Sequence, residues 1–274
     1  MIIETAATVI DEVRKQQPLV HCITNYVTAN DCANGLLAFG ASPAMCDLWD
    51  EVYEFARISG ALYINFGTYS KEQEAAALEA ALGAKVAGRP IVVDPVGCAA
   101  IPRRLGLLTH LHDTAGIDLI KGNMGEIMAL AGKDAVVKGV DSAGTVPGIE
   151  EAVGLVARKY RCVAAATGQV DVVGDGNRLV RIHNGVPMLT RITGAGCIVG
   201  ALCAAAAAAA AAAVVDRDRE ALVAAACAAI ACLGIAGELA FERARRPGSF
   251  RVALIDHIDG ITGNTLRQRG KIQC

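Results

Sequence analysis

The chain has 274 residues, 53% of them apolar and only 4% aromatic, with a mean hydropathy of +0.39. That length allows one large α/β domain or two small ones, and Ala, Val, Leu and Ile must fill the interior by close backbone packing. Lys and Arg number 26 against 28 Asp and Glu, a net charge of −2, which gives no electrostatic case for nucleic acid or an anionic membrane as a partner.

In chain order, IETAATVIDEVRKQ predicts a helix stopped by Pro18, and its acids with no basic leader distinguish it from a secretion signal. PLVHCIT predicts a short strand, NYVTANDCANGLLAFG a helix ended by Gly40, and ASPAM an extended segment. DEVYEFARISG is helical and closes on Gly60, and ALYINFG is a strand. SKEQEAAALEAALGAKVAG opens with a Ser in cap position, and PIVVDPVG follows as a buried strand. DLIKGN is a strand, NMGEIMALAG and IEEAVGLVARKY are helices, and CVAAATG is a strand. VDVVGDGNRLVRIHN carries two β-rich runs around a turn at residues 174–177, the pattern of a hairpin. Two Ala-rich helices, residues 197–213 and 218–244, finish the domain.

The uncharged run at residues 192–215 is long enough to be tested as a membrane span. Its core is ten consecutive alanines, Ala204 to Ala213, with three glycines among its first nine residues and DRDRE directly after. Alanine is too weakly apolar to drive insertion, so the run is expected to be a buried helix of a soluble protein. The ten cysteines are scattered without a CxxC pair, which suits reduced, mostly buried thiols in the cytoplasm. The strand–helix rhythm implies one α/β domain, a mostly parallel sheet with helices on both faces, over residues 1–262. Residues 263–274 are a polar tail expected to be mobile.

In such sheets ligands bind outside the carboxyl ends of the strands. Asp94 closes IVVD, Lys121 and Asn123 close DLIKGN, Thr167 and Gly168 close VAAATG, and Gly67 closes LYINFG. In TRITGAGCIVGAL, the segment Thr193-Gly194-Ala195-Gly196 presents free main-chain N–H groups at a helix start, an anion site. The alternative is that its small residues only allow close helix packing. A dinucleotide fingerprint fails, because no second strand ending in an acid follows. Cys197, at the mouth of that helix, has its thiolate favoured there and can serve as base or nucleophile, whereas the other thiols fit as small hydrophobes. Asn123 and Glu126 form a capping box, and Asp94 with Glu126 also suits Mg2+, which takes few protein ligands.

Taken together, these segments resemble the hydroxyethylthiazole kinase family of the ribokinase-like superfamily. The resemblance rests on PLVHCITNYVTANDCANGLLAFGASPAM, VDPVG, GNMGEI, ATGQVD, RIHNGVPMLTRITGAGC and GIAGELAFERARRPGSF, collinear from residue 4 to about 257. Sugar kinases of the superfamily usually carry Asp where Cys197 stands. The resemblance implies a ribokinase-like fold and transfer of the ATP γ-phosphoryl group to the alcohol of hydroxyethylthiazole. It implies that Met45, Asn25, Val27, Gly67 and the Gly194 main chain line the thiazole pocket, and that Lys121, Thr167, Asn123 and Gly168 meet ATP. It further implies that Asp94 and Glu126 organise Mg2+, that Gly194, Ala195, Gly196 and Cys197 do the chemistry, and that a homotrimer places thiazole pockets between subunits. Two positions depart from the family pattern: Lys121 where Arg is usual, which loses the planar fork, and Ala99 where a glycine is common, which would be strained at positive φ. Rival readings are another small-molecule kinase, acting on a hydroxymethylpyrimidine, pyridoxal or a sugar, and a ligand-binding protein that kept the fold without catalysis.

Overall fold

Short β-branched runs separated by helices build one sheet buried on both faces. The structure, a computed structural model, describes residues 2–133, 146–213 and 218–274. The expected uncharged run ends at residues 214–215, which, with Asp216, lie outside the described residues. The strands are β1 (Leu19–Ile23), β2 (Ser42–Ala44), β3 (Ala61–Asn65), β4 (Ile91–Asp94), β5 (Leu119–Asn123), β6 (Val163–Thr167), β7 (Asp171–Gly174), β8 (Leu179–Ile182) and β9 (Ile272–Gln273). Their order is β2-β1-β3-β4-β5-β6-β7-β8-β9; the first six run parallel, and the hairpin β7–β8 and then β9 add antiparallel strands.

Successive residues of a strand serve opposite layers. On β3, Ala61 and Tyr63 join the core under α1 (Ile2–Gln16), α2 (Ala29–Phe39), α8 (Ala195–Ala213), α9 (Arg219–Arg243) and α10 (Pro247–Gly260). Leu62 and Ile64 face the other layer, built from α3 (Val52–Ile58), α4 (Lys71–Val86), α5 (Pro102–Ala115), α6 (Met124–Leu130) and α7 (Ile149–Lys159). The α/β architecture expected from the sequence, a mostly parallel sheet with helices on both faces, is the one observed. The segments Ala195–Ala212 and Arg219–Arg243 are long and apolar enough to cross a membrane, yet they are 72% and 89% buried inside the fold. Alanine serves α8 because the helix lies directly on β1, β3, β4 and α9. At Gly200 a Cβ would come within 2.6 Å of the Tyr63 hydroxyl, so even one methyl group is excluded there.

Three segments differ from the sequence expectation. Residues 102–115 were assigned no element and form α5, with Pro102 in its first turn and Leu107, Leu108 and Leu111 buried. The chain after α9 was expected to hold no further helix but continues as α10, anchored by Phe250, Leu254 and Ile258. The tail expected to be mobile is instead folded, as α11 (Gly263–Arg269) and β9. Thr262 and Thr265 cap α11, Gly263 N donates to Asp11 Oδ1 at 2.8 Å, and Leu266 is buried.

Candidate active site

The parallel strands end at one edge of the sheet, and α8 begins there. Gly194 takes φ +86°, and a Cβ on it would meet Thr28 Cγ2 at 2.7 Å, so both backbone and space demand glycine. The Gly194 carbonyl accepts from Ile198 N at 2.8 Å and starts the helix. Among the described residues, the N–H groups of Gly194, Ala195, Gly196 and Cys197 find no acceptor in the protein. They are the unsatisfied donors every helix start leaves, here in a turn whose Gly196 is open to solvent.

Behind that turn the β4–β5 register, Val93↔Ile120, sets Asp94 beside Lys121. Lys121 Nζ donates to Asp94 Oδ2 at 3.0 Å and to the Gly196 carbonyl at 3.1 Å, with both side chains almost wholly buried. Burial pushes the Asp94 carboxyl up to about 6, opposed by Lys121 and reinforced by Glu126. Burial also works against the Lys121 charge, but Asp94 and Glu126 outweigh it and hold the ammonium above its ordinary value. Among the described residues, Asp94 Oδ1 is buried with no partner. Glu126 turns both oxygens to main-chain donors, Oε1 to Gly97 N at 2.9 Å and Oε2 to Asn123 N at 2.7 Å, and Asn123 Oδ1 accepts from Glu126 N at 2.9 Å. The capping box is real and also ties the loop after β4 to the start of α6.

On the β1–β3 side of the turn, Cys197 Sγ accepts from Asn25 Nδ2 at 3.4 Å and from Asn65 Nδ2 at 3.3 Å. The buried Tyr63 hydroxyl donates to the Cys197 carbonyl at 3.0 Å. On the β6–β8 side a cleft of about 780 Å³ opens, with Asn123, Thr167, Gly168, Asp171, Ala195 and Gly196 along its polar end. Asp171 Oδ1 accepts from Gly168 N at 2.9 Å and fixes the turn after β6. Burial pushes the Asp171 carboxyl up to about 7, against the pull of the Gly168 N–H and Lys121. The α8 start thus stands between a large cleft and the hydrogen-bonded cluster around Cys197.

A family model described as "Hydroxyethylthiazole kinase family" matches residues 10–264. The chain belongs to the hydroxyethylthiazole kinase family. Hydroxyethylthiazole kinase 1 of Clostridium botulinum (strain Okra / Type B1) is 51% identical over 265 residues, covering 97% of each chain. Hydroxyethylthiazole kinase of Clostridium kluyveri is 50% identical over 270 residues, covering 98% of this chain and 97% of its own. Among solved structures, a hydroxyethylthiazole kinase protein from Pyrococcus horikoshii OT3 superposes with a TM-score of 0.84 at 36% identity, covering 98% of both chains. The pyridoxal kinase from Staphylococcus aureus shares the fold alone, with a TM-score of 0.55 at 12% identity over 80% of this chain and 87% of its own.

Within this family frame, the structure brings Asn25, Asp94, Lys121, Cys197 and the residues 194–196 into one cluster, with Gly67 N bonded to Asn65 beside it. Asn123, Thr167 and Gly168 lie along the cleft. Val27 and Met45 are exposed, on the segments that follow β1 and β2. Lys121 gives two of its three N–H groups to Asp94 Oδ2 and the Gly196 carbonyl. Ala99 carries no strain, because the positive φ in its loop belongs to Gly97, at +75°. Sequence reasoning missed Tyr63, Asn65 and Asp171. The available signal was a polar side chain inside or closing an otherwise apolar strand, as in LYIN.

Proposed function

We propose that the chain transfers the γ-phosphoryl group of ATP to the primary alcohol of 4-methyl-5-(2-hydroxyethyl)thiazole, in a salvage step toward thiamine. The observation that carries the reading is the α8 start, with a cleft of about 780 Å³ on one side, the Asn25–Asn65–Cys197 cluster on the other and free N–H groups between. The alcohol oxygen attacks the γ-phosphorus, the bond from that phosphorus to the bridging oxygen breaks, ADP leaves, and Cys197 Sγ takes the hydroxyl proton. Phosphoryl transfer needs positioning and charge stabilisation more than covalent help. The donors of residues 194–197 and the α8 dipole supply it where negative charge develops on the migrating group.

Lys121 contributes fixed positive charge beneath the same turn, and its third N–H remains for a phosphate oxygen. Thr167, Asn123 and Gly168 border the cleft where ATP would lie. The donor set fits Mg2+: Asp94 offers a buried, unpartnered carboxylate oxygen and Glu126 a second acid nearby, few protein ligands for an ion that keeps most of its waters. Asp94 and Glu126 would hold it, and the ion would neutralise phosphate charge. The exposed loops bearing Val27 and Met45, with Tyr26, Leu48 and Trp49, form an apolar rim suited to a homotrimer that completes the thiazole pocket between subunits. All ten cysteines are unpaired, in keeping with a cytoplasmic enzyme.

A coupled assay of ADP release over a panel of alcohols tests the reading. The thiazole alcohol should give a higher kcat/KM than hydroxymethylpyrimidine, pyridoxal or ribose. Turnover of any of those in preference to thiazole would replace it, and thiazole binding with no ADP release would make the chain a binding protein.

A further inference from the structure

We infer that Asn65 is a positioning residue for the phosphoryl transfer, its side-chain amide fixing the Cys197 sulfur as a hydrogen-bond acceptor at the mouth of α8. The inference rests on the reading of Cys197 as proton acceptor and adds a residue to it.

The orientation of the amide decides the matter, because its oxygen and nitrogen are interchangeable in shape. Asn65 Oδ1 receives Gly67 N at 2.9 Å, and a main-chain N–H can only donate. The oxygen is therefore on the Gly67 side and Nδ2 on the other. Nδ2 spends its two hydrogens on the Tyr63 hydroxyl at 3.0 Å and on Cys197 Sγ at 3.3 Å. Asn25 is fixed by the same logic. Its Oδ1 takes the main-chain Thr28 N at 3.1 Å, so its Nδ2 points to Asn65 Oδ1 at 2.9 Å and to Cys197 Sγ at 3.4 Å.

Asn65 thus uses both donors and both acceptor sites of its amide, and it is wholly buried. Two N–H groups converge on one sulfur. An S–H hydrogen facing either of them would set donor against donor, so the inner side of the sulfur is reserved for accepting. Donors aimed at the sulfur stabilise negative charge on it, so the form able to receive the hydroxyl proton is the one these two amides hold in place. The network also grips the same residue by its main chain, since the Tyr63 hydroxyl that accepts from Asn65 donates to the Cys197 carbonyl at 3.0 Å. Burial pushes the Tyr63 phenol well above its ordinary range, with Asp94 adding to it, so it stays a neutral donor. A filler role alone would not require this arrangement, because leucine has the same shape without the four bonds.

Asn65→Leu in the full chain tests the inference with two readouts. One is the rate of iodoacetamide alkylation at Cys197, followed by peptide mass spectrometry with the exposed Cys274 as reference in the same sample. The other is kcat and KM for thiazole and ATP. The expected result is alkylation at Cys197 slowed ~5-fold or more with Cys274 unchanged, and kcat lowered ~10-fold or more while KM for ATP stays within about twofold. Alkylation at Cys197 within about twofold of wild type, whatever happens to kcat, overturns the inference, as does slowed alkylation with unchanged kcat. If the Leu variant does not fold, Asn65→Ser, too short to reach the sulfur, carries the same expectations. The alkylation readout needs no substrate, so failure of the wild-type chain to phosphorylate thiazole would count against the proposed function and leave this inference separately decided.

Discussion

Replacing Lys121 by Met removes the cation from a buried pair and leaves Asp94, 1% exposed, with Oδ2 held only by the Tyr63 hydroxyl at 3.5 Å and Oδ1 without a partner among the described residues. At 3.0 Å and an effective dielectric of 20, the lost attraction is about 5 kcal/mol. Stranding one partner of a buried pair costs ~3–5 kcal/mol in comparable cases. The loss must depend on pH. The Asp94 carboxyl already sits at about 6 with Lys121 present, above the usual 3.8, and loses its largest charge-stabilising neighbour in the variant. The folded variant therefore binds a proton more readily than its unfolded chain does, so lowering the pH favours folding. Urea unfolding followed by circular dichroism should give a loss of ~3–5 kcal/mol at pH 8, shrinking to ~1–2 kcal/mol at pH 5.5, where Asp94 is mostly protonated in both proteins. The double change Lys121→Met with Asp94→Asn should recover most of the loss at pH 8. A loss under about 1 kcal/mol at pH 8, or one equal at the two pH values, would refute the reasoning.

Cys197→Ala should lower kcat by ~10²–10⁴ without abolishing it, and Cys197→Asp should keep more activity than Ala, read in a steady-state assay; wild-type kcat in the Ala variant would remove the base. Gly194→Ala forces φ +86° on a residue with a Cβ and drives that carbon against Thr28. It should cost ~2 kcal/mol or more of stability and slow turnover, checked by thermal melt and rate together. Asp171→Asn keeps an acceptor for Gly168 N but removes a carboxyl that burial has pushed up to about 7. In the wild type the folded state holds that proton from about pH 4 to 7, so stability falls as pH rises through this window. The Asn variant should match wild type near pH 4 and be more stable at pH 8 by a few kcal/mol, on the order set by the shift; equal stability at pH 8 would contradict it.

The sheet and most of the site edge were legible because the responsible signals are local. Apolar runs ending in Asp94 or Asn123 announce strand ends, and the Gly194 turn before Cys197 announces a bare helix start. The element at residues 102–115 was not, because its buried face is three leucines in a segment otherwise polar and interrupted by Gly106. Nor was the folding of the tail, since the partners that order it, Asp11, Glu4 and Ile182, lie far away in sequence. Within the site, Lys121 was read as facing phosphates. Its pairing with Asp94 comes from strand register, which no spacing along one strand reveals. Asn65 looked like the polar end of a strand, and only the three-dimensional placement of Gly67, Tyr63 and Cys197 around it gives each of its four bonds a direction.

The most direct measurement is phosphorus NMR of the chain with ATP, Mg2+ and hydroxyethylthiazole. The account predicts a new phosphomonoester resonance growing in step with ADP and lost in a sample lacking the thiazole alcohol. ADP forming together with inorganic phosphate alone, or no change in the ATP spectrum, would contradict it.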